Sequence, residues 1–269
     1  MTRSSLEAAR RAVARLNPVT RMQPLTNPDD DPSVLMTTAI GFALPLVRAA
    51  TPLDLRGAQN LPERGGCLVV SNHVSNYDPL VLGAFLVLNG RRPHWLAKKE
   101  LFSVPLIGFV ARHSDQIPVD RSHPDPRKVL GGARDQLDKG MTIVMYPEGT
   151  ITADPLHWPM TPRTGAARLA LETGVPVLPV GQWGPQQIMG YKKMTWPKLW
   201  PRTTMHLSCG EPVDLADLHG RQDDHDAVHE ASDRIMAAID AQVEVVRGEP
   251  APPTRYDIRT GTRVPARRG

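Results

Sequence analysis

Between residues 67 and 246 the chain alternates short apolar runs with longer stretches of helical periodicity. Short apolar runs bounded by turn residues are typical of buried strands, and apolar residues recurring every three or four positions are typical of helices. These patterns predict strands at Cys67–Ser71, His94–Lys98, Gln116–Val119, Met141–Tyr146, Val175–Val180 and Thr203–Ser208. They predict helices at Pro79–Leu88, Pro126–Leu137, Thr164–Thr173 and Asp226–Val246. The alternation therefore predicts an α/β fold, with a single central mixed sheet flanked by helices.

The two ends of the chain depart from this alternation. Residues 1–50 contain a short basic amphipathic helix at Ser4–Leu16 and an apolar stretch at Val34–Val47. That stretch is too short to cross a bilayer, so it either lies in a membrane interface or packs on the body of the protein. From Arg247 onward the chain is rich in Pro and Arg without periodicity. We therefore expect an interfacial segment (1–50), a folded domain (51–246) and a disordered basic tail (247–269).

Composition narrows the partners and the compartment. The net charge of +4 and the pI of about 9.3 favour anionic partners, such as phosphates, anionic lipids or nucleic acid. The chain has only Cys67 and Cys209, too few for a disulfide framework, and its N-terminus lacks a secretion signal pattern. No apolar run is long enough for a transmembrane helix. These features predict a protein that works in the reducing cytoplasm.

The strongest chemical signal is the run Ser71-Asn72-His73-Val74-Ser75-Asn76-Tyr77-Asp78-Pro79, between a predicted strand and a predicted helix. Asp78 could fold back onto one ring nitrogen of His73 and leave the other nitrogen free as a general base. A competing interpretation makes Asp78 an ordinary helix N-cap, followed by Pro79 as a favoured first helical residue. The spacing alone decides little, because His219 and Asp224 share it in a polar segment without a preceding strand.

Further polar clusters follow other predicted strands. Tyr146-Pro147-Glu148-Gly149-Thr150 ends one strand, and Arg121 comes just after another. A guanidinium there suits bidentate contact with a phosphate, although this motif taken alone favours surface pairing of Arg121 with Asp120. Arg163 adds a cation beside a predicted helix N-terminus, whose free N–H groups also favour phosphate. Strand ends of an α/β sheet are where such folds place reactive groups.

Four short sequence blocks, in this order along the chain, resemble those of the glycerolipid acyltransferase family, typified by 1-acylglycerol-3-phosphate acyltransferase. The resemblance covers about residues 53–215. The matching blocks are Asn72-His73 to Asp78-Pro79, Val119-Asp120-Arg121, Tyr146-Pro147-Glu148-Gly149-Thr150 and Val175-Pro176-Val177-Leu178-Pro179-Val180.

The resemblance implies a role for each block. The block around Pro179 would line the acyl-donor or structural side of the cleft. His73 would be the general base and Asp78 its orienting partner. The acceptor and its phosphate would be bound by Arg121, Glu148, Gly149, Thr150 and Arg163. One departure matters: the family usually continues the third block with Arg-Ser, whereas this chain has Ile151-Thr152. Because a phosphate-binding cation is missing there, a larger or differently charged lipid acceptor becomes more plausible.

The chain lacks a phosphate-binding loop and a spaced His/Cys metal set. We therefore expect no metal and no cofactor, with the acyl group arriving already activated as a thioester on coenzyme A or acyl carrier protein. The chain also lacks a Gly-x-Ser-x-Gly nucleophile motif, and both cysteines fall within apolar strands. Direct transfer between two bound substrates is the simpler mechanism.

The segment Tyr191–Arg202 interleaves Lys and Arg with Trp and Tyr. This composition suits docking to a membrane surface with anionic lipids, plain loop packing, or stacking on single-stranded nucleic acid. We favour the membrane over nucleic acid.

The sequence thus predicts a peripheral enzyme at the cytoplasmic face of the membrane that acylates a lysophospholipid. Acylation of another lipid or glycolipid by the same mechanism is the first alternative. A non-catalytic basic module that binds lipid or nucleic acid is the second. Metal-dependent hydrolysis through His73, Asp78 and Glu148 ranks last, because further ligands are not identifiable.

Overall fold

The computed structural model describes residues 41, 44–99, 103, 116–119, 126–190 and 196–266. Its strands are β1 (Leu53–Arg56), β2 (Cys67–Ser71), β3 (Pro93–Lys98), β4 (Ile117–Val119), β5 (Thr142–Met145), β6 (Val177–Trp183), β7 (Met205–Cys209), β8 (Thr254–Asp257) and β9 (Thr262–Pro265). Its α-helices are α1 (Asp78–Leu88), α2 (Pro126–Asp138), α3 (Gly165–Thr173), α4 (Pro185–Ile188) and α5 (His225–Arg247), with single 3₁₀ turns at Ala58–Asn60 and Ala216–Leu218. Residues 44–50 are also helical.

Seven of the strands form one mixed sheet in the order β1-β7-β6-β2-β5-β3-β4. Strand β2 lies at its centre, parallel to β5 and β6, with Val70 opposite Met145 on one side and Pro179 on the other. Strand β7 runs antiparallel to β6, and β1 runs parallel to β7. One edge of the sheet, here called the upper edge, is therefore where β2, β5 and β6 end and where β1 and β7 begin. The opposite edge is called the lower edge.

Two apolar cores cover the two faces of the sheet. Strand β2 is buried along its whole length, and its side chains alternate between the cores, as the two-residue period of a strand requires. Leu68 and Val70 join the core formed with α2, α3 and α5. Cys67 and Val69 join the core formed with α1. This double burial explains why β2 reads as a continuous apolar run in the sequence.

The structure confirms the predicted α/β class and the mixed sheet flanked by helices, and every strand and helix predicted between residues 67 and 246 is present within a few residues of its expected ends. Strand β1 was not predicted, because its four residues, Leu-Asp-Leu-Arg, are too few to display a period. It joins the sheet through parallel pairing with β7.

The structure corrects the prediction for the C-terminal tail. The prediction of disorder from residue 247 is wrong for residues 248–266, because β8 and β9 pair there as an antiparallel hairpin. The arginines that suggested a solvated tail bind buried carboxylates: Arg255 pairs with Asp240 of α5, and Arg263 pairs with Asp154 at 2.6 Å. Composition alone does not show such pairing, since the partner carboxylates lie far away in the sequence.

The predicted amphipathic helix at Ser4–Leu16 lies outside the described residues. Only the end of the apolar stretch Val34–Val47 is described, and there Leu44 and Val47 are buried whereas Leu46 is 68% exposed. Among the helices that the structure describes, none is both long enough and apolar enough to cross a membrane.

Candidate active site

The loop between β2 and α1 begins at a fixed point at the upper edge. The side chain of Asn72 donates from Nδ2 to the carbonyl of Gln182 at 3.0 Å, and its Oδ1 accepts from the backbone N–H of Gln182 at 2.8 Å. These two bonds extend the pairing of β2 with β6 one residue past the end of the strand. His73 is consequently the first residue that leaves the sheet.

His73 and Asp78 form the pair that the sequence predicted. His73 Nδ1 lies 2.9 Å from Asp78 Oδ2. The same oxygen accepts from the backbone N–H groups of Val74 at 2.6 Å and Ser75 at 2.9 Å. Asp78 is the first residue of α1 and does not cap it: the N-cap position is Tyr77, and no side chain there bonds the helix end. The interpretation of Asp78 as an ordinary N-cap is therefore wrong, and its carboxylate binds the histidine instead.

The surroundings of the pair favour one tautomer of His73. A carboxylate facing Nδ1 accepts a hydrogen bond from an N–H group at that nitrogen. The ring proton is therefore held on Nδ1, and Nε2 keeps its lone pair. Burial raises the pKa of Asp78, and the bonds from His73 and the two backbone N–H groups act against that rise. The ring of Tyr146 stacks on His73, with centroids 4.1 Å apart and planes inclined by 15°. The imidazole is therefore fixed both by a hydrogen bond and by packing.

Glu148 is buried, and backbone N–H groups bind both of its carboxyl oxygens. Its Oε1 accepts from the backbone N–H of His73, and its Oε2 accepts from the backbone N–H of Met160, each at 3.0 Å. Burial raises the pKa of Glu148 to about 8, although the two backbone donors act against this rise. Glu148 thus joins the loop after β2 to the loop after β5.

Gly149 and Arg163 lie against each other beside this carboxyl group. Gly149 has a φ of 72°, and a Cβ added to it would come within 2.8 Å of Arg163 Nε. The backbone N–H of Arg163 donates to Pro147 at 2.8 Å. Both Arg163 and Thr150 are exposed, so an anion could approach them. Only a residue without a side chain at position 149 leaves room for the Arg163 guanidinium.

The segment that departs from the family pattern, Ile151-Thr152, is fixed by hydrogen bonds within the protein. Thr152 donates its backbone N–H to the carbonyl of His73 at 2.7 Å and its hydroxyl to the carbonyl of Trp158 at 2.9 Å. Thr152 is buried, and Ile151 is half-buried. Neither position supplies a cation. The predicted phosphate ligand Arg121 lies outside the described residues.

Several contributors to this site were not predicted. Met160 acts through its backbone N–H, so its side-chain type carries no signal. Asp154 is buried and reaches Arg263 of β9, and the guanidinium of Arg247 lies over the rings of Trp158 and Trp183, at 4.2 Å and 4.0 Å. An isolated buried Asp is rarely left unpaired, but the sequence does not identify a partner 109 residues away.

Comparison with known proteins decides the family. The Acyltransferase family model matches residues 52–183, the stretch that contains the His73 loop and Glu148. Over 195 residues the chain is 30% identical to a 1-acyl-sn-glycerol-3-phosphate acyltransferase of Pseudomonas aeruginosa, which covers 67% of this chain and 70% of that protein. The chain belongs to the acyltransferase family. The resemblance of the four sequence blocks is thereby confirmed.

Other relatives of this acyltransferase differ in the acceptor that their names state. The chain is 35% identical over 135 residues to a lyso-ornithine lipid O-acyltransferase of Pseudomonas aeruginosa, covering 49% of this chain and 48% of that one. The fold is that of the crystal structure of a 1-acyl-sn-glycerophosphate acyltransferase from Thermotoga maritima, with a TM-score of 0.57, 22% identity, and coverage of 80% of this chain and 84% of that one. The chain spans from 37% to 79% of the length of the curated relatives it matches.

Proposed function

We propose that this acyltransferase moves a fatty acyl group from acyl coenzyme A or acyl carrier protein to a hydroxyl of a lysophospholipid, at the cytoplasmic face of the membrane. His73 acts as the general base and Asp78 as its orienting partner. The observation that carries the proposal is the 2.9 Å contact between His73 Nδ1 and a buried carboxylate that two backbone N–H groups also hold.

The proposed reaction has two steps, and the geometry of the pair supports both. His73 Nε2 removes the proton of the acceptor hydroxyl while the oxygen attacks the carbonyl carbon of the thioester. The tetrahedral intermediate collapses as the carbon–sulfur bond breaks, and the imidazolium returns the proton to the leaving thiolate. Asp78 stabilises the imidazolium between these two steps. The products are an ester and a free thiol, so the proton and the acyl group are both accounted for.

The donor supplies all the activation that this reaction needs. A thioester carbonyl is already reactive toward an alcohol, so the proposed mechanism uses no cofactor and no metal. The oxygens of Glu148 are engaged by the backbone N–H groups of His73 and Met160. Glu148 therefore acts as a brace that fixes the backbone of the base.

Arg163 is the cation that supports an anionic acceptor within the described residues of this site. It is exposed and lies against Gly149, close to the His73 loop. Ile151 and Thr152 add no charge, so the acceptor phosphate would be bound by fewer cations than in the family pattern. This favours acceptance of more than one headgroup, including the lyso-ornithine lipid type named for a relative.

The test is release of free thiol from a palmitoyl thioester by the purified protein in the presence of lysophosphatidate. His73→Ala should lower the rate by about 10²–10⁴-fold, the usual contribution of a general base. His219→Ala is the matched control, because His219 has an Asp at the same spacing but is exposed at the lower edge. Unchanged turnover in His73→Ala, with the fold intact by circular dichroism, would refute the mechanism.

The acceptor is tested separately by offering one thioester with glycerol 3-phosphate, lysophosphatidate, larger lysophospholipids and lyso-ornithine lipid. Products are identified by mass. Comparable rates with two or more lipid acceptors would support the relaxed headgroup preference that Ile151 suggests. Strict preference for lysophosphatidate would contradict it.

A further inference from the structure

The Trp-bearing segment before β7 lies at the same edge of the sheet as the catalytic pair. His73 follows the end of β2, and residues 196–204 precede the start of β7. Because β7 runs antiparallel to β6, which is parallel to β2, its start lies where β2 ends. Residues 44–50 precede β1, which is parallel to β7, so they also lie at this upper edge.

Hydrogen bonds join these neighbouring segments. Arg202 Nη2 donates to the carbonyl of Ala49 at 2.8 Å. The backbone N–H of Lys198 donates to the carbonyl of Ile188 in α4 at 2.9 Å. The next carbonyl, that of Met189, accepts from the hydroxyl of Ser75 at 2.7 Å, within the His73 loop. The Trp-bearing segment is thus connected through α4 to the loop that holds the base.

Large apolar side chains on these segments face solvent. Trp196 is 93% exposed, Trp200 is 84% exposed and Leu46 is 68% exposed. Leu199 is also exposed. Clustered exposed apolar side chains on a folded protein mark an interaction site. Indole rings with an apolar body and one N–H group are enriched where hydrocarbon meets headgroups.

The charge of the same segments indicates the partner. Arg48, Lys198 and Arg202 are exposed among these apolar residues. Residues 44–50 and 196–203 contain no Asp or Glu. A surface with cations, exposed Trp and no carboxylates matches an anionic bilayer, whose headgroups attract Lys and Arg while its interface accepts Trp. A protein partner would not by itself account for the position beside a catalytic loop that must receive a lipid.

We propose that Leu46, Trp196, Lys198, Leu199 and Trp200 form a docking surface for a bilayer containing anionic lipids. The surface orients the upper edge toward the membrane, so that a lysophospholipid reaches His73 without crossing bulk water. This assignment deepens the proposed function and rests on its lipid acceptor. Its test uses binding alone, so that it can fail or succeed independently of catalysis.

The experiment measures binding of the full chain to vesicles of phosphatidylcholine, with and without about one-third phosphatidylglycerol. We expect binding to the anionic vesicles, weakened by salt, and quenching of Trp fluorescence by brominated lipid. Trp196→Ala combined with Trp200→Ala should weaken binding by about tenfold or more and remove most of the quenching. Wild-type affinity of this double variant, with an unchanged circular dichroism spectrum, would overturn the proposal.

Matched controls separate the surface from general effects of charge and hydrophobicity. Lys198→Ala should weaken binding to anionic vesicles, whereas Arg64→Ala, an exposed cation near the start of β2 at the lower edge, should not. Leu46→Ala should weaken binding more than Val245→Ala, which removes an exposed apolar group outside the surface. Equal effects within either pair would overturn the assignment.

Two further outcomes distinguish this proposal from its competitors. His73→Ala should bind vesicles as the wild type does, so loss of turnover and loss of docking are separate results. Sedimentation of the free protein tests whether a second copy covers the surface instead. If the double Trp variant breaks a dimer and leaves vesicle binding unchanged, the surface is a dimer interface and the proposal fails.

Discussion

The chain contains two His-x4-Asp segments with opposite fates. At the upper edge, His73 and Asp78 are hydrogen-bonded at 2.9 Å, and the Asp78 side chain is fully buried. At the lower edge, Asp224 caps α5 by accepting from the backbone N–H groups of Asp226 and Ala227. Its other oxygen binds Arg221 at 2.6 Å, and His219 is exposed. The same spacing therefore yields a buried His–Asp pair in one place and a helix cap in the other.

The difference lies in what precedes each histidine. The buried strand β2 delivers His73 to the sheet edge, and the bonds between Asn72 and Gln182 fix the point where the chain leaves it. The segment around His219 follows only a single 3₁₀ turn and remains open to water. A carboxylate in solvent gains little from a histidine, whereas a buried carboxylate requires partners. Burial, rather than spacing, decides the pairing.

The largest expected effect tests this comparison directly. Asp78→Asn should lower kcat by about 10²–10⁴-fold, because an amide cannot hold the imidazole in the required tautomer or stabilise its charged form. Asp224→Asn should leave kcat unchanged, since Asn is also a good N-cap. Both are measured by thiol release. Equal losses in the two variants would show that the comparison is mistaken.

The next largest effect is expected where a buried carboxylate loses its partner. Arg263→Ala leaves the fully buried Asp154 without its partner and should destabilise the protein by about 2–3 kcal/mol, less than for a fully buried pair because Arg263 is 27% exposed. The loop 151–161 should then become sensitive to limited proteolysis. Arg134→Ala, which breaks an exposed pair with Glu172, is the control for removing a guanidinium. Urea unfolding that does not distinguish the two variants would contradict the argument.

Glu148→Gln is expected to have a smaller, pH-dependent effect on the free energy of unfolding. The amide would face a backbone donor with its own N–H group, so we expect a loss of about 1–3 kcal/mol. In the folded protein the pKa of Glu148 is raised from 4.5 to about 8, so the folded state keeps a proton that the unfolded chain has released. Wild-type stability should therefore fall, relative to the variant, as pH rises through this window.

The measurement compares urea unfolding of wild type and Glu148→Gln at about pH 5, pH 6.5 and pH 9. The stability gap should be widest at the acid end and narrowest above the folded pKa. A gap that is constant with pH would show that Glu148 is ionised throughout.

The smallest effect is expected for substitution of Asp224, at the lower edge of the sheet. Asp224→Ala removes the cap of α5 and should lower Tm by a few degrees without changing turnover. The side-chain bond from Arg221, followed by the bonds from backbone N–H groups, holds the pKa of Asp224 below its ordinary 3.8. This stabilisation is present above that value and is lost as pH falls through the folded pKa. The Tm difference should therefore vanish in acid; a difference that persists there would contradict the capping role.

Much of the fold was predictable because the sheet is buried on both faces. Such strands are continuous apolar runs, and the helices α2, α3 and α5 have an amphipathic period that the sequence displays. The tail was mispredicted for the opposite reason: its hairpin is stabilised by Arg255 and Arg263, whose partners Asp240 and Asp154 belong to other elements. Strand β1 was missed because its partner, β7, comes about 150 residues later in the chain.

The candidate site was predictable only in part. His73 and Glu148 follow the ends of apolar strands, Asp78 begins the next helix, and the structure brings all three together. The role of Met160 could not be found, because a backbone N–H is common to nearly every residue. Glu148 was expected to bind the acceptor, and that role stays a prediction; its bonds to the backbone N–H groups of His73 and Met160 could not be found from the sequence.

By itself, the sequence determined the α/β class, the order of the elements and the blocks that contain His73 and Asp78, since each depends on local periodicity and on residues close together in the chain. The tertiary structure decided which of two identical spacings forms a buried pair, that the basic tail folds back onto Asp154, and that Trp196 and Trp200 share an edge with His73. These outcomes depend on strand direction and on burial, and both arise only when segments distant in the chain meet in the folded sheet.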